Sequence, residues 1–372
     1  MIYNLKNNTI KNIKVLQLID SLQVGGAEMM AVNIANALHR KGVNTHLIAS
    51  RHEGSLKEKL LPEVGYLFLN RKKFIDIIAF LKLHQYIKNH KINIIHAHAT
   101  SWFLAVVMKL RNPSLKIVWH DHFGNSEKLN QRNNLPLKIG SYFFESVISV
   151  NNKLHYWAVS KLNASTYFYV PNFVTPLLNQ SNKTIDSLKG EDEKRIVCLA
   201  NLRPQKDHLN LLEAFKIVYY KFPDWTLHLI GLKSDDLYYQ QLQDFIDRNN
   251  LKTNVFIYEN CSNGAVLLTQ ANIGVLASQS EGLPLALLEY GMAKLGVVVT
   301  DVGECGEVID NDKNGCLVPA SNSQMLAEKI VFLISHEKER SQMGENLNQK
   351  IKTNYSEEKV INQILDIYLQ IE

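Results

Sequence analysis

Apolar residues in this chain fall into short runs separated by longer segments in which they recur every three or four positions. Lys14 to Ile19 is such a run, ending at Asp20. Behind it, Ala27, Met30, Ala31, Ile34, Ala35 and Leu38 draw one stripe along a predicted helix. The alternation continues with a strand over 44–49, a helix over 74–89, a strand over 92–97, a helix over 102–110 and strands over 116–119 and 146–150. Strand alternating with helix predicts a parallel sheet covered on both faces.

The pattern breaks between Pro171 and Lys194, where a polar run, Asn179 to Lys183, precedes Glu191-Asp192-Glu193-Lys194. It restarts with strands over 195–200, 225–230, 255–258, 273–276 and 297–300, and helices over 207–220, 237–248 and 285–294. Helices over 324–335 and 358–369 close the chain. The expected architecture is α/β: two doubly wound parallel-sheet domains facing across a cleft. The first spans 1–172, the linker 173–194 and the second 195–355, and the helix over 356–372 is a candidate to pack back on the first. Ligands of such sheets bind at the carboxyl ends of the strands.

Composition narrows the function classes. The chain has 372 residues, 46% of them apolar, which is too apolar for a disordered protein and enough for two cores. A net charge of +5 is too small for a dedicated nucleic-acid binder. Cys198, Cys261, Cys305 and Cys316 form no C-x-x-C pair, which points to a reducing compartment. The polar N-terminus lacks a signal-peptide core, and apolar stretches such as Trp102–Met108 are far shorter than a membrane span. A cytoplasmic protein is expected.

Candidate chemistry clusters at predicted strand ends. Gly25 and Gly26 follow the first strand and open a helix, where backbone N–H groups can approach an anion; a plain turn is the alternative. His96 and His98 close one strand, and His120 and His122 follow the next; they suit an active-site polar group, a metal site or simple strand capping. Arg203 and Lys206 stand three apart at a loop-to-helix junction, a spacing that suits a diphosphate or an ordinary basic turn. Glu281, Gly282, Leu283 and Pro284 lead into an apolar helix carrying Glu289. Carboxylates bracketing such a helix start can hold sugar hydroxyls, and the helix N-terminus favours phosphate. Asp310-Asn311-Asp312 reads as a solvated turn.

Taken in order, these motifs resemble those of the family 4 glycosyltransferases: Gly25-Gly26-Ala27-Glu28, His96-Ala97-His98, Val170-Pro171-Asn172-Phe173-Val174, Arg203 to Lys206, Glu281 to Glu289, Glu307-Val308-Ile309 and Asn314-Gly315. The resemblance runs from Val15 to the C-terminal helix. It implies a GT-B fold of two Rossmann-like domains and a retaining hexosyltransferase that needs no metal and uses a nucleotide-sugar donor as co-substrate. Arg203 and Lys206 would neutralise the leaving diphosphate. Glu281 would hold donor-sugar hydroxyls, and Gly282, Leu283 and the helix start the distal phosphate. Glu289 would take the ribose, His98 would sit beside the transferred sugar, and the Gly25-Gly26 loop would line the diphosphate side and the acceptor approach. The chain departs from the family pattern at Asn201 and Glu304, where glycine is usual, and at Phe173, where glycine is common.

Two other readings stand beside it: a metal-dependent hydrolase using the His96/His98 and His120/His122 pairs, and a non-catalytic two-domain sugar-binding protein. The resemblance and the basicity suggest a glycan or lipid-linked acceptor in bacterial surface-polysaccharide assembly. Arg71-Lys72-Lys73 before Phe74, Ile75, Ile77, Ile78, Phe80 and Leu81, with Lys82 and Lys88 following, suggests peripheral contact with an anionic membrane at its cytoplasmic face, against an ordinary core helix with a basic cap.

Overall fold

In the computed structural model the described residues are 12–124, 126–175, 187–233, 235–259 and 264–372. The linker stretch 176–186 and Cys261 lie outside them. The described residues fall into two units, one within Met1–Phe173 and Glu357–Glu372, the other within Val174–Ser356.

In the first unit, β1 (Lys14–Ser21) lies inside a seven-stranded sheet with β2 (Asn44–His52), β3 (Gly65–Phe68), β4 (Ile94–His98), β5 (Lys116–Asp121), β6 (Ser146–Ser149) and β7 (Thr166–Tyr169). The order is β3-β2-β1-β4-β5-β6-β7, and every pairing is parallel. The helices are α1 (Gly26–Arg40), α2 (Ile77–His90), α3 (Trp102–Arg111), α4 (Leu135–Gly140) and α5 (Asn152–Lys161). Side chains alternate across the sheet. Leu16, Leu18, Ile95, Ala97, Ile117 and Trp119 pack with Leu83, Leu104 and Ala158 of α2, α3 and α5. Ile19, Leu47 and Ala49 pack on the opposite face with Ala31 and Ala35 of α1. Gln17, two residues before Ile19, shares that second face.

The second unit has β8 (Arg195–Leu199), β9 (Thr226–Ile230), β10 (Val255–Tyr258), β11 (Ile273–Leu276), β12 (Gly296–Thr300) and β13 (Cys316–Val318), in the parallel order β10-β9-β8-β11-β12-β13. Its helices are α6 (His208–Lys221), α7 (Asp236–Arg248), α8 (Gly264–Leu267), α9 (Leu285–Met292), α10 (Cys305–Val308), α11 (Ser323–Ser335) and α12 (Glu337–Asn354). The last helix, α13 (Glu357–Ile371), belongs to the first unit. It buries Val360, Ile361, Ile364, Leu365, Ile367 and Tyr368, and its first residue, Glu357, takes Arg40 Nη2 on both carboxylate oxygens at 2.8 and 2.7 Å.

The differences from the sequence pattern have local causes. β3 and β7 are edge strands of four residues, half-buried along most of their length, so they carry no apolar alternation to read. α12 is polar overall and buries only the narrow stripe of Arg340, Met343, Gly344, Leu347, Asn348 and Ile351. α2 begins at Ile77 rather than Phe74, because the Asp76 side chain caps it by accepting from the Ala79 N–H at 3.1 Å. Phe74 and Ile75 therefore precede the helix. β5 runs on through Asp121, which puts His120 inside the strand.

Candidate functional site

Both sheets reverse their strand order beside the first strand of the unit, between β1 and β4 and between β8 and β11. Open α/β sheets form their binding crevices at such switch points. In the second unit the crevice is built into the hydrogen bonding. β11 pairs with β8 at Ile273–Ile196 and Gly274–Val197. Beyond that register the Tyr290 hydroxyl takes over, accepting from Leu199 N at 2.7 Å and donating to Val275 O at 3.2 Å.

Past that point the loops after β8 and β11 are laced together. Gln279 N donates to Gln205 O at 2.9 Å, and Gln205 Nε2 donates to Ser280 O at 2.8 Å. Lys206 Nζ lies 2.5 Å from Glu281 Oε1, and Ser278 Oγ donates to the same oxygen at 2.6 Å. Both charged side chains are largely buried, at 12% and 7% exposure. Arg203 is exposed and, among the described residues, has no ion-pair partner. Lys206 and Glu281 are thus brought together, while Arg203 stays at the rim.

Gly282, Leu283 and Pro284 are buried and lead into α9, with Glu289 half-buried on its second turn. The neighbouring loop presses against this segment. Glu304 N donates to Gly282 O at 2.9 Å, and Gly303 sits at φ +59°. A Cβ on Gly303 would lie 2.3 Å from Glu281 O, so only glycine fits. Asn201, at the family's glycine, holds the Leu232 N–H through Oδ1 at 3.1 Å. Cys198, Cys305 and Cys316 are buried free thiols whose pKa values burial raises, which keeps them protonated and inert.

In the first unit, α1 starts from Gly25 in extended backbone at φ −163°, and neither Gly25 nor Gly26 uses the left-handed region. Nothing lies within 4 Å of where a Gly26 Cβ would be, so the backbone here is open. Asp20, at the end of β1, gathers Ser50, Thr100 (2.7 Å) and Arg71 (3.3 Å).

The four histidines form a layer with Gln17 and Tyr368. His96 bonds the Tyr368 hydroxyl through Nδ1 at 2.6 Å and His120 Nδ1 through Nε2 at 3.1 Å. His98 bonds Gln17 Oε1 through Nε2 at 2.8 Å and His122 Nε2 through Nδ1 at 3.0 Å. Gln17 Nε2 donates to the Tyr368 hydroxyl at 3.3 Å. Burial lowers the ring pKa values, joined at His96, His98 and His120 by the neighbouring imidazoles: His96 and His122 to about 3, His98 and His120 well below their ordinary value. All four are neutral near pH 7. Ligand nitrogens of His96, His98 and His120 lie within 4.8 Å of one another. In this structure those rings spend nitrogens on each other, on Gln17 and on Tyr368.

Ser278, Gln17 and Tyr368 were not among the sequence candidates. Gln17 had a signal, a polar residue in an apolar strand. Tyr368 had none, since on its helix it reads as core.

A family model described as Glycosyltransferase Family 4 matches residues 24–175, and one described as Glycosyl transferases group 1 matches residues 179–350. The chain belongs to the family 4 glycosyltransferases and has the GT-B fold. It is 26% identical to an uncharacterized glycosyltransferase, MJ1178, of Methanocaldococcus jannaschii, over 94% of this chain and 95% of that protein. It is 21% identical to the UDP-Gal:alpha-D-GlcNAc-diphosphoundecaprenol alpha-1,3-galactosyltransferase of Escherichia coli, over 98% of each. The crystal structure of Anabaena Alr3699/HepE in complex with UDP-glucose superposes with a TM-score of 0.79 at 17% identity, covering 96% of this chain and 100% of that one. Neither the hydrolase reading nor the non-catalytic reading finds support among these relatives.

Proposed function

We propose that this glycosyltransferase moves a sugar from a UDP-linked donor, with retention and without a metal, to a glycan or lipid-linked glycan acceptor in bacterial surface-polysaccharide assembly. The observation that carries the reading is the buried Lys206–Glu281 pair at the switch point of the second unit. Breaking the anomeric C–O bond builds negative charge on the departing diphosphate, and fixed cations and N–H groups aimed at it lower the barrier. Lys206 and Arg203 supply the cations, the charge a divalent ion would otherwise bring. Gly282, Leu283 and the start of α9 supply N–H groups to the distal phosphate. Glu281 turns from Lys206 to the sugar hydroxyls, Glu289 holds the ribose, and the Gly25-Gly26 backbone lines the diphosphate side. His98 belongs to the layer that supports the sugar side of the site.

The nucleotide is supported by the UDP-linked donors of the E. coli relative and the Anabaena complex, and the lipid-linked acceptor by the former. Retention rests on the family resemblance. Among the described residues no helix is long and apolar enough to cross a membrane. Peripheral contact with the cytoplasmic face is supported instead by Phe74, Ile75, Ile77, Ile78 and Leu81, each at least half exposed, beside the exposed Lys72, Lys73 and Lys82.

The test is a donor screen over UDP-, GDP- and ADP-sugars, with lipid-linked and soluble glycan acceptors and chelator present throughout. Release of UDP with transfer to an acceptor and an unchanged anomeric configuration is expected. Release from none of the donors would overturn the reading.

A further inference from the structure

Asp207 occupies the N-cap position of α6 and does not behave as a cap. An N-cap residue ordinarily has extended backbone, and an aspartate there accepts from an N–H in the first turn of its own helix. Asp207 instead sits in the left-handed region, at φ +51° and ψ +45°, and among the described residues its carboxylate makes no capping bond to α6. The N–H of His208 is met from elsewhere, donating to the buried Tyr238 hydroxyl of α7 at 2.8 Å. The Asp207 carbonyl still accepts from Leu211 N at 3.2 Å, so the helix itself starts normally. Aspartate tolerates the left-handed region better than most residues, but glycine occupies it without strain. A cap that does not cap, in a backbone that would suit glycine better, needs another reason to be aspartate.

That reason lies in what the freed carboxylate touches. Its Oδ2 accepts from Gln279 Nε2 at 3.1 Å and from Ser321 Oγ at 3.2 Å. Gln279 stands in the loop after β11, between Ser278 and Glu281. Ser321 stands between β13 and α11 and is itself left-handed, at φ +55°. One carboxylate oxygen therefore joins the loops that follow β8, β11 and β13. Lys206 immediately precedes Asp207, closing the 3-10 turn Pro204–Lys206 that leads through Asp207 into α6. The other end of the same loop is held by Leu202 N, which donates to Leu232 O at 2.8 Å beside the Asn201 contact. The segment that carries Lys206 is thus fixed at both ends, and its Asp207 end is tied to the loop that carries Glu281.

We infer that Asp207 is a positioning residue for the donor site, fixing Lys206 opposite Glu281 by tying the loop after β8 to the loops after β11 and β13. The inference rests on the glycosyl-transfer reading for the task of Lys206 at the donor diphosphate. The left-handed turn sets the direction in which the chain leaves Lys206, and the bonds from Gln279 and Ser321 hold that turn in place. Such placement matters because a displacement of about 1 Å beside the reacting groups can cost roughly a hundredfold in rate.

Asp207→Gly separates the two parts, since glycine takes the left-handed backbone without strain but has no carboxylate. The variant is expected to fold, with kcat/KM for donor lowered roughly tenfold to a hundredfold and the KM for acceptor unchanged. Asp207→Asn keeps an oxygen for Gln279 and Ser321 and tolerates the same backbone, so it should restore donor kcat/KM to within a few-fold of the parent. A glycine variant with parental kcat/KM, or an asparagine variant no better than glycine, would overturn the inference. Should the glycine variant fail to fold, Gln279→Ala combined with Ser321→Ala removes the same two bonds at exposed positions and leaves Asp207 in place. That double variant should reproduce the fall in donor kcat/KM, and parental kinetics from it would overturn the inference.

Hydrogen exchange on the full chain without ligand tests the tether apart from the function. Peptides covering 203–208 and 278–281 should exchange faster in Asp207→Gly than in the parent, through lost protection at Lys206 N and Gln279 N. Unchanged exchange would overturn the tether. Faster exchange in a chain that transfers no sugar would leave the tether standing and count against the glycosyl-transfer reading alone.

Discussion

Lys206 Nζ and Glu281 Oε1 lie 2.5 Å apart, and the oxygen that meets the lysine also accepts from Ser278. Before any ligand arrives, each charge is the other's counter-ion. The pair keeps two buried charges tolerable and is also the contact that a nucleoside diphosphate and a sugar hydroxyl would divide between them.

Opposite effects are therefore expected from removing the two partners. Lys206→Ala removes the counter-ion of a buried carboxylate and should lower stability. It should also weaken UDP binding. Glu281→Gln keeps an oxygen for Lys206 and Ser278 but cancels the negative charge beside the diphosphate site. UDP should then bind as tightly as before or more tightly, while transfer falls roughly a hundredfold through loss of the sugar contact. Calorimetric titration with UDP and initial rates on both variants check this. Weaker UDP binding by Glu281→Gln would remove Glu281 from the sugar side.

The histidine layer predicts a stability profile. In the unfolded chain these rings take up protons near pH 6.5, whereas in the folded protein His96 and His122 stay neutral down to about 3 and His98 and His120 are also lowered. The unfolded state then binds more protons, so their contribution is present above pH 6.5 and is lost as the pH falls below it. Each ring contributes up to about 1.4 kcal/mol per pH unit, so the four could lower stability at pH 5.5 by on the order of 5 kcal/mol. Denaturant melts at pH 7.5, 6.5 and 5.5 should show the fall. A flat profile would mean that the rings are protonated in the folded protein.

Much of this site was legible in the sequence because its parts sit where strand runs stop. His98, Lys206 and Glu281 each follow an apolar strand closely, and a residue there lies on the carboxyl edge of a parallel sheet whatever the details of packing. The partners were harder to read. Gln17 and Tyr368 are 351 positions apart, and only the return of α13 to the first unit brings them together. Helical periodicity says that Tyr368 faces inward but not that a glutamine and an imidazole await its hydroxyl. The pairing of Lys206 with Glu281 was hidden in the same way. Three residues of spacing suggested that Lys206 and Arg203 act together, whereas the fold turns Lys206 onto a carboxylate 75 positions away and leaves Arg203 exposed.

The apolar surface before and along α2 should bind membranes that carry anionic lipid. Asp76 shapes it, accepting from Lys72 N at 3.2 Å and Ala79 N at 3.1 Å, so that Phe74 and Ile75 stand out ahead of the helix. Co-sedimentation with vesicles containing anionic phospholipid should exceed that with zwitterionic vesicles. Removing Lys72, Lys73 or Lys82 should weaken binding by about 1 kcal/mol each, and Ile77→Asp with Ile78→Asp should abolish it. Equal binding to both vesicle types would refute the electrostatic part.

Tyr290 should prove a keystone of the second unit although no motif marks it. Its hydroxyl bridges Leu199 N and Val275 O where β8 and β11 part, and its ring lies against Gly274, whose Cβ would come within 2.7 Å of it. Phenylalanine would fill the same space but leave the Leu199 N–H and the Val275 carbonyl without that hydroxyl. An unmet buried group costs about 1–3 kcal/mol, so Tyr290→Phe should lower stability by that amount. Because those strands lead directly into the loops carrying Lys206 and Ser278, loosening them should also raise the KM for donor. Glycine-to-alanine exchange at 274 should be worse, since a methyl group would push the ring itself off the bridge. Denaturant melts and donor saturation curves on both variants decide the matter. A Tyr290→Phe protein as stable as the parent would show that the parted strands need no bridge.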